Sequence, residues 1–200
     1  MLKRFFLLLS CLLMATLLPA QTSPSAERGG VTVWVGAGGS TFNPDYGCAS
    51  SSPFSCGDGQ LQGITAFSDV NHLFFPRLGA EGEARFLHWG GPPGVSEDSY
   101  LFGPRFHVLR YKRRLTADIK FLVGTGHINL PNHGPGEGNY FAYAPGGEAD
   151  FRLSPRWAAR VDYEYQVWPG FEGVPTAFTS GTGGITPNGF SLGISYAILR

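Results

Sequence analysis

Residues 156–168 read RWAARVDYEYQVW, and this stretch decides the fold class. Its even-numbered positions include Arg160, Asp162 and Glu164, whereas the odd-numbered positions between them are apolar or aromatic. A period of two places successive side chains on opposite faces of a β-strand. The stretch therefore predicts a strand with one charged and one apolar face. It argues against an amphipathic helix, whose apolar residues recur every three or four positions.

The same alternation recurs along the chain, with turn residues between the segments. Eight strands are predicted, at residues 30–42, 61–70, 77–89, 99–109, 115–126, 141–153, 156–168 and 188–199. Most of them reach the roughly 9–11 residues that a tilted transmembrane strand needs. The faces of the second strand are not assigned, because its alternation is weak. Pro104 lies inside the fourth strand and lacks an N–H, so a bulge is expected near Gly103-Pro104.

The direction of the charged face separates two kinds of barrel. In a soluble calyx the apolar face lines the cavity, whereas in a membrane barrel it meets lipid and the charges point inward. The charged face here mixes both signs and relies on Arg, whose forked guanidinium suits buried pairs. No apolar stretch after residue 20 is long enough for a transmembrane helix. The fold class expected is therefore all-β, as an eight-stranded antiparallel transmembrane β-barrel.

An interior charge network is the main candidate site. Its expected members lie on the charged faces of strands 3 to 7: Glu81, Glu83, Arg85, Arg105, Asp118, Lys120, Glu148, Asp150, Arg152, Arg160, Asp162 and Glu164. Carboxylates two residues apart, such as Asp162 and Glu164, resemble acid–base pairs. Structural pairing with Arg is favoured over catalysis, because ion-pair networks perturb titration without any catalytic role.

The connections predicted between the strands alternate in length. Residues 43–60, 90–98, 127–140 and 169–187 form long connections, whereas the intervening turns are short. Long loops on the outer side and short turns on the periplasmic side are typical of an outer-membrane barrel. Aromatic residues near strand ends predict interfacial girdles. These residues are Phe42, Trp89, Tyr100, Tyr111, Tyr140, Trp157 and Trp168.

The N-terminus predicts export from the cytoplasm. Residues 1–20 combine the basic Lys3-Arg4 with an apolar run and end at Ala20, as a cleaved signal peptide does. A lipoprotein site ending at Cys11 is the alternative. Residues 21–29 are expected to form a short N-terminal segment, and residues 30–200 the barrel. The expected location is the outer membrane of a Gram-negative cell, in contact with lipid and lipopolysaccharide, as a monomer.

Composition and cysteines narrow the functional classes. Loss of Lys3 and Arg4 from the 15 basic residues leaves 13 against 15 acidic ones, a net charge of −2. That balance argues against nucleic-acid binding, which needs a basic field. Cys48 and Cys56 form an even pair in a Gly/Ser-rich stretch and predict a disulfide in an oxidising compartment. Metal-ligand spacing is missing, and no helix is predicted after the glycines at 36–39, so no metal or other cofactor is expected.

Several motifs resemble those of the eight-stranded outer-membrane β-barrel family, which is OmpA-like in architecture. The similarity covers about residues 30–200 and is carried by GAGGS at 36–40, LFGPR at 101–105, FLVG at 121–124, APGG at 144–147 and LSPR at 153–156. The resemblance implies a closed membrane barrel and says little about function. One departure is the C-terminal Ile198-Leu199-Arg200, where the family usually ends on an aromatic residue.

The function expected from these patterns is non-enzymatic. The barrel would anchor and present four extracellular loops to an unknown partner, with the first loop foremost. A lipid A-modifying enzyme is the first alternative, followed by a small-ion pore and a soluble lipocalin-like barrel. Of the histidines, His127 and His133 are placed at the outer rim, and Ile128-Asn129 follows His127 in place of a His-x-Ser arrangement.

Overall fold

The computed structural model describes residues 30–44, 60–73, 75–91, 93–112, 114–130, 136–171 and 184–199. The predicted signal peptide, the segment 21–29, Cys48, Cys56 and His133 lie outside these residues. No helix in the described parts is long and apolar enough to cross a membrane.

Eight antiparallel strands form a closed barrel in which each strand pairs with its neighbours in sequence and β8 pairs with β1. The strands are β1 (Thr32–Asn43), β2 (Leu61–Asn71), β3 (Leu78–Trp89), β4 (Ser96–Tyr111), β5 (Leu115–Asn129), β6 (Gly138–Arg152), β7 (Trp157–Tyr165) and β8 (Asn188–Leu199). The predicted fold class is confirmed.

The outer wall of the barrel is apolar. Phe102, Leu192 and Ile198 are each 63% exposed, and similar side chains cover every strand. Monomeric soluble proteins rarely expose continuous apolar surface on this scale, whereas a bilayer requires it. The soluble lipocalin-like alternative is therefore wrong, because the charged side chains face the lumen and the apolar ones face outward.

The bulge expected near Gly103-Pro104 is not observed. Pairing with β5 stops at Phe102↔Val123 and resumes at Arg105↔Lys120 in the same register. One missing N–H removes ladder hydrogen bonds but needs no inserted residue, because the flanking pairs keep the register. The irregularity in β4 lies instead between His107 and Leu109, near the short-turn end.

The connections differ from those predicted at two of the four long loops. β4 begins at Ser96 and β6 at Gly138, so these loops shorten to residues 90–95 and 130–137. The first and last connections, residues 44–60 and 166–187, are the long ones. The barrel therefore carries two long and two modest loops at one end, opposite the short turns.

The lumen near the loop end is filled by apolar side chains. Trp168 and Phe171 lie beyond β7, where the chain turns inward and Trp168 pairs with Ile185. Their neighbours include Leu101, Leu122, Ile128, Ala142 and Ala144, and a second cluster joins Phe42, Leu61 and Leu87. The girdle prediction is wrong for Phe42 and Trp168, each of which is only 1% exposed, and for Tyr140, which packs against the Trp168 cluster.

Gly126 has no side chain, and this leaves room for the Trp168 ring. A Cβ added at Gly126 would lie 2.2 Å from Trp168 Cη2. We expect Gly126→Ala to lower the free energy of unfolding by about 1–3 kcal/mol, because the ring has no free space to move into. Denaturant unfolding in detergent micelles measures this change.

Gly82→Ala serves as the control for that variant, since a Cβ there would meet Phe102 Cδ2 at an ordinary 3.7 Å. Equal unfolding midpoints for the two alanine variants would show that the Trp168 ring does not depend on Gly126.

The strands that close the barrel carry no charge. Neither β1 nor β8 contains an acidic or basic residue. Between Trp34 and Phe42, their shared inward side is lined by small residues, with Gly38 opposite Gly193 and Ser40 opposite Ser191. The two serine hydroxyls are hydrogen-bonded at 2.8 Å. All the ionic side chains of the lumen therefore come from β2 to β7.

Candidate functional site: the charged lumen

Lys120 of β5 reaches across the lumen to carboxylates of β3 and β7. Its Nζ donates to Glu81 Oε1 at 2.8 Å and to Glu83 Oε2 at 3.1 Å. It also lies 3.0 Å from Asp162 Oδ1. Because Lys120 is buried, these oxygens replace the water that an ammonium group otherwise holds.

Arg85 binds carboxylates on the loop side of Lys120. Its Nη1 lies 2.5 Å from Glu164 Oε2, and its Nη2 contacts Glu83 and, at 3.9 Å, Asp162. Its Nε donates to Thr65 Oγ1 at 3.2 Å, and the guanidinium stacks 3.9 Å from the centre of the Phe42 ring. Arg85 thereby joins the charged layer to the apolar layer above it.

Arg105 organises the layer nearest the short turns. Its guanidinium lies 2.7 Å from Asp69, 2.5 Å from Asp118 and 3.3 Å from Asp150, and it also contacts Glu148. Such charge-assisted contacts are the strong hydrogen bonds of proteins.

Arg160 of β7 binds the same layer from the opposite wall. It donates to Asp69 Oδ1 at 3.2 Å and to Asp150 Oδ1 at 2.8 Å, and it lies 3.1 Å from Glu148 Oε2. Both guanidinium groups also approach Glu81, at 4.0 and 3.6 Å. Arg105 and Arg160 therefore share four carboxylates, so neither can be replaced without disturbing the other's partners.

Eleven of the twelve predicted network members take part in the contacts described above. Arg152 lies lower, at the short-turn end, with its guanidinium 5.9 Å from the centre of the Trp34 ring. Asp69, on the strand whose faces were not assigned, was missed. The ion pairs of the four cations described above reach eight carboxylates, and His107 adds a contact to Asp118.

Two groups of three carboxylates have the spacing of a metal site. They are Glu83, Asp162 and Glu164, and Asp118, Glu148 and Asp150. However, Arg85 contacts all three members of the first group and Arg105 all three of the second. A guanidinium already supplies the positive charge at each place, so both groups fit a structural role better than metal binding.

The outer rim carries a contact between a histidine and an aspartate that the sequence analysis did not predict. His88 and Asp98 are joined at 2.7 Å, on neighbouring strands at the loop end. His127, opposite Asp98 in β5, pairs with Asn139 at 3.1 Å. Within the described chain, no Ser hydroxyl is hydrogen-bonded to a His, so these residues do not form a Ser-His-acid constellation.

Comparisons with known proteins agree with this architecture. A family model described as "Outer membrane protein beta-barrel domain" matches residues 10–197. The crystal structure of Neisserial surface protein A aligns with a TM-score of 0.55 at 9% identity, covering 83% of this chain and 96% of that one. Ail, the attachment invasion locus protein of Yersinia pestis, aligns with a TM-score of 0.47 at 14% identity, covering 84% and 97%.

No curated protein sequence matches the chain significantly. The family match spans most of the sequence, and the closed eight-stranded barrel with an apolar outer wall fits it in architecture and location. The chain belongs to the outer-membrane β-barrel protein family.

Proposed function

We propose that this protein is a non-enzymatic barrel that anchors in the outer membrane and presents its loops to the outside. The observation that supports this proposal is the filled lumen, in which a charged layer and an apolar layer follow one another along the barrel axis. An interior of this kind leaves no wide passage, since eight strands enclose only enough space for side chains.

The loop end supports a presenting role. The connections at 44–60 and 166–187 are much longer than the turns at 112–114 and 153–156. Segments held on a rigid scaffold are where binding residues concentrate. The first and fourth connections are therefore the proposed contact surfaces, with the Cys48–Cys56 disulfide proposed to constrain the first.

An epitope insertion tests the orientation on which this proposal depends. A tag placed in residues 45–59 is expected to bind antibody on intact cells, because that connection belongs to the long-loop end. A tag beside Lys112, in a short turn, is the control and is expected to react only after the outer membrane is permeabilised. The reverse labelling pattern would contradict the proposal.

The lipid A-modifying alternative is tested separately. We expect purified protein in micelles to leave lipid A unchanged in mass. Turnover that disappears in a His88→Ala or His127→Ala variant would replace the anchor proposal with an enzymatic one. Stable large conductance steps in a planar bilayer would instead favour the pore.

A further inference from the structure

A cavity of about 410 Å³ opens into the lumen at the short-turn end. Its floor contains Asp69 and Asp150, which are already bound by Arg105 and Arg160. The volume is within the roughly 300–1,000 Å³ of small-molecule sites. The cavity therefore has room for a ligand above a floor whose carboxylates are already bound by arginine side chains.

Arginines dominate the mouth of this cavity. Arg77, Arg110, Arg114 and Arg152 line it, and they come from the three short-turn connections around the opening, with Arg110 and Arg114 at the same one. Among the described residues, no ion pair includes Arg77, Arg110 or Arg114. These three guanidinium groups without a carboxylate partner lie around one opening, where they attract anions.

His72 also lines this cavity. It lies in the turn after β2 with φ 61°, and its ring centre is 6.1 Å from that of His107. Burial lowers the pKa of His72, and electrostatic repulsion from His107 and Arg110 lowers it further. A further positive charge is thus disfavoured at this mouth.

We propose that this arginine mouth binds a phosphate group, carried either by an inner-leaflet phospholipid or by a soluble periplasmic phosphate compound. The guanidinium fork matches two phosphate oxygens at once, and a tetrahedral phosphate accepts forks from several directions. Val108 and Leu109, beside the β4 irregularity, add an exposed apolar rim for the organic part of such a ligand.

Titration calorimetry in octyl glucoside, a detergent without phosphate, tests the site. The probes are inorganic phosphate and dihexanoyl phosphatidylglycerol, added to the folded barrel. We expect saturable binding of at least one probe. Arg110→Gln should weaken that binding at least about tenfold, because it removes a charge-assisted hydrogen bond to the phosphate.

Arg156→Gln is the matched control. Arg156 lies at the same end but outside the cavity, with its Nη1 donating to the Tyr196 hydroxyl. Its loss should leave phosphate binding unchanged, and heat-modifiable gel mobility verifies that each variant is folded.

The two probes also separate the sources of the phosphate. Binding of inorganic phosphate that displaces the lipid indicates a soluble ligand, whereas saturation by the lipid alone indicates a headgroup. Binding of neither probe would overturn the proposal, as would an equal loss of affinity in Arg110→Gln and Arg156→Gln, since a general surface charge would then explain the result.

Discussion

A Lys120→Met variant is expected to lose about 3–5 kcal/mol of unfolding free energy, the usual cost of removing one partner from a buried ionic group. Without the ammonium, Glu81, Glu83 and Asp162 lose a shared cation and are left close together in a buried site. Denaturant unfolding in lipid vesicles, followed by the gel mobility of folded and unfolded forms, measures the loss.

Lys112→Met is the matched control, since Lys112 is the other lysine after the predicted signal peptide. Its ammonium lies 5.0 Å from the Tyr111 ring, on an exposed turn. We expect a change of less than about 1 kcal/mol, as is usual for surface substitutions. Similar losses in the two variants would mean that the Lys120 contacts add nothing to stability.

A Trp168→Ala variant is expected to lose about 3–5 kcal/mol as well, through the cavity left in the apolar layer. Trp168 packs on Tyr140 and donates its Nε1–H to Gln166 Oε1 at 2.8 Å, so the substitution also removes a buried hydrogen bond. The unfolding midpoint in vesicles gives the size of the effect.

Trp157→Ala separates burial from the general effect of losing an indole. Trp157 is 48% exposed on the outer wall, where it packs edge-on against Tyr196. Its loss should be clearly smaller than that of Trp168. If the Trp157 variant were the less stable of the two, the interior layer would not be a main source of stability.

The alternation of charged and apolar residues was enough to predict the fold class and most of the network. In β7, a period of two placed Arg160, Asp162 and Glu164 on one face, and the structure shows all three in the lumen. This prediction works because a lipid-facing wall tolerates no charge near the bilayer centre, so that the two faces differ sharply.

Strand β2 shows where this contrast fails. Its inward face holds Leu61 and Phe67 as well as Asp69, while its outward face holds Gln62 and Ser68. Polar and apolar residues occur on both sides, so the pattern did not indicate which face was inside. Asp69, which binds both Arg105 and Arg160, was missed for this reason.

Trp168 shows a different kind of error. It lies two, four and six positions beyond Gln166, Glu164 and Asp162, and this parity indicated the lumen. Its place at the strand end suggested a girdle instead. Parity was the better guide, because the backbone geometry of an extended chain fixes side-chain direction, whereas interfacial enrichment is only a tendency.

Strands β1 and β8 carry no charged side chain, so no ionic contact joins them where the barrel closes. Parting these strands breaks backbone hydrogen bonds and the contact between Ser40 and Ser191, but no ion pair has a member on either strand. Elsewhere, the ion pairs among the side chains of strands β2 to β7 resist separation of the strands. No ionic contact therefore has to form when the first and last strands meet to close the barrel, and none has to break if they part towards the bilayer.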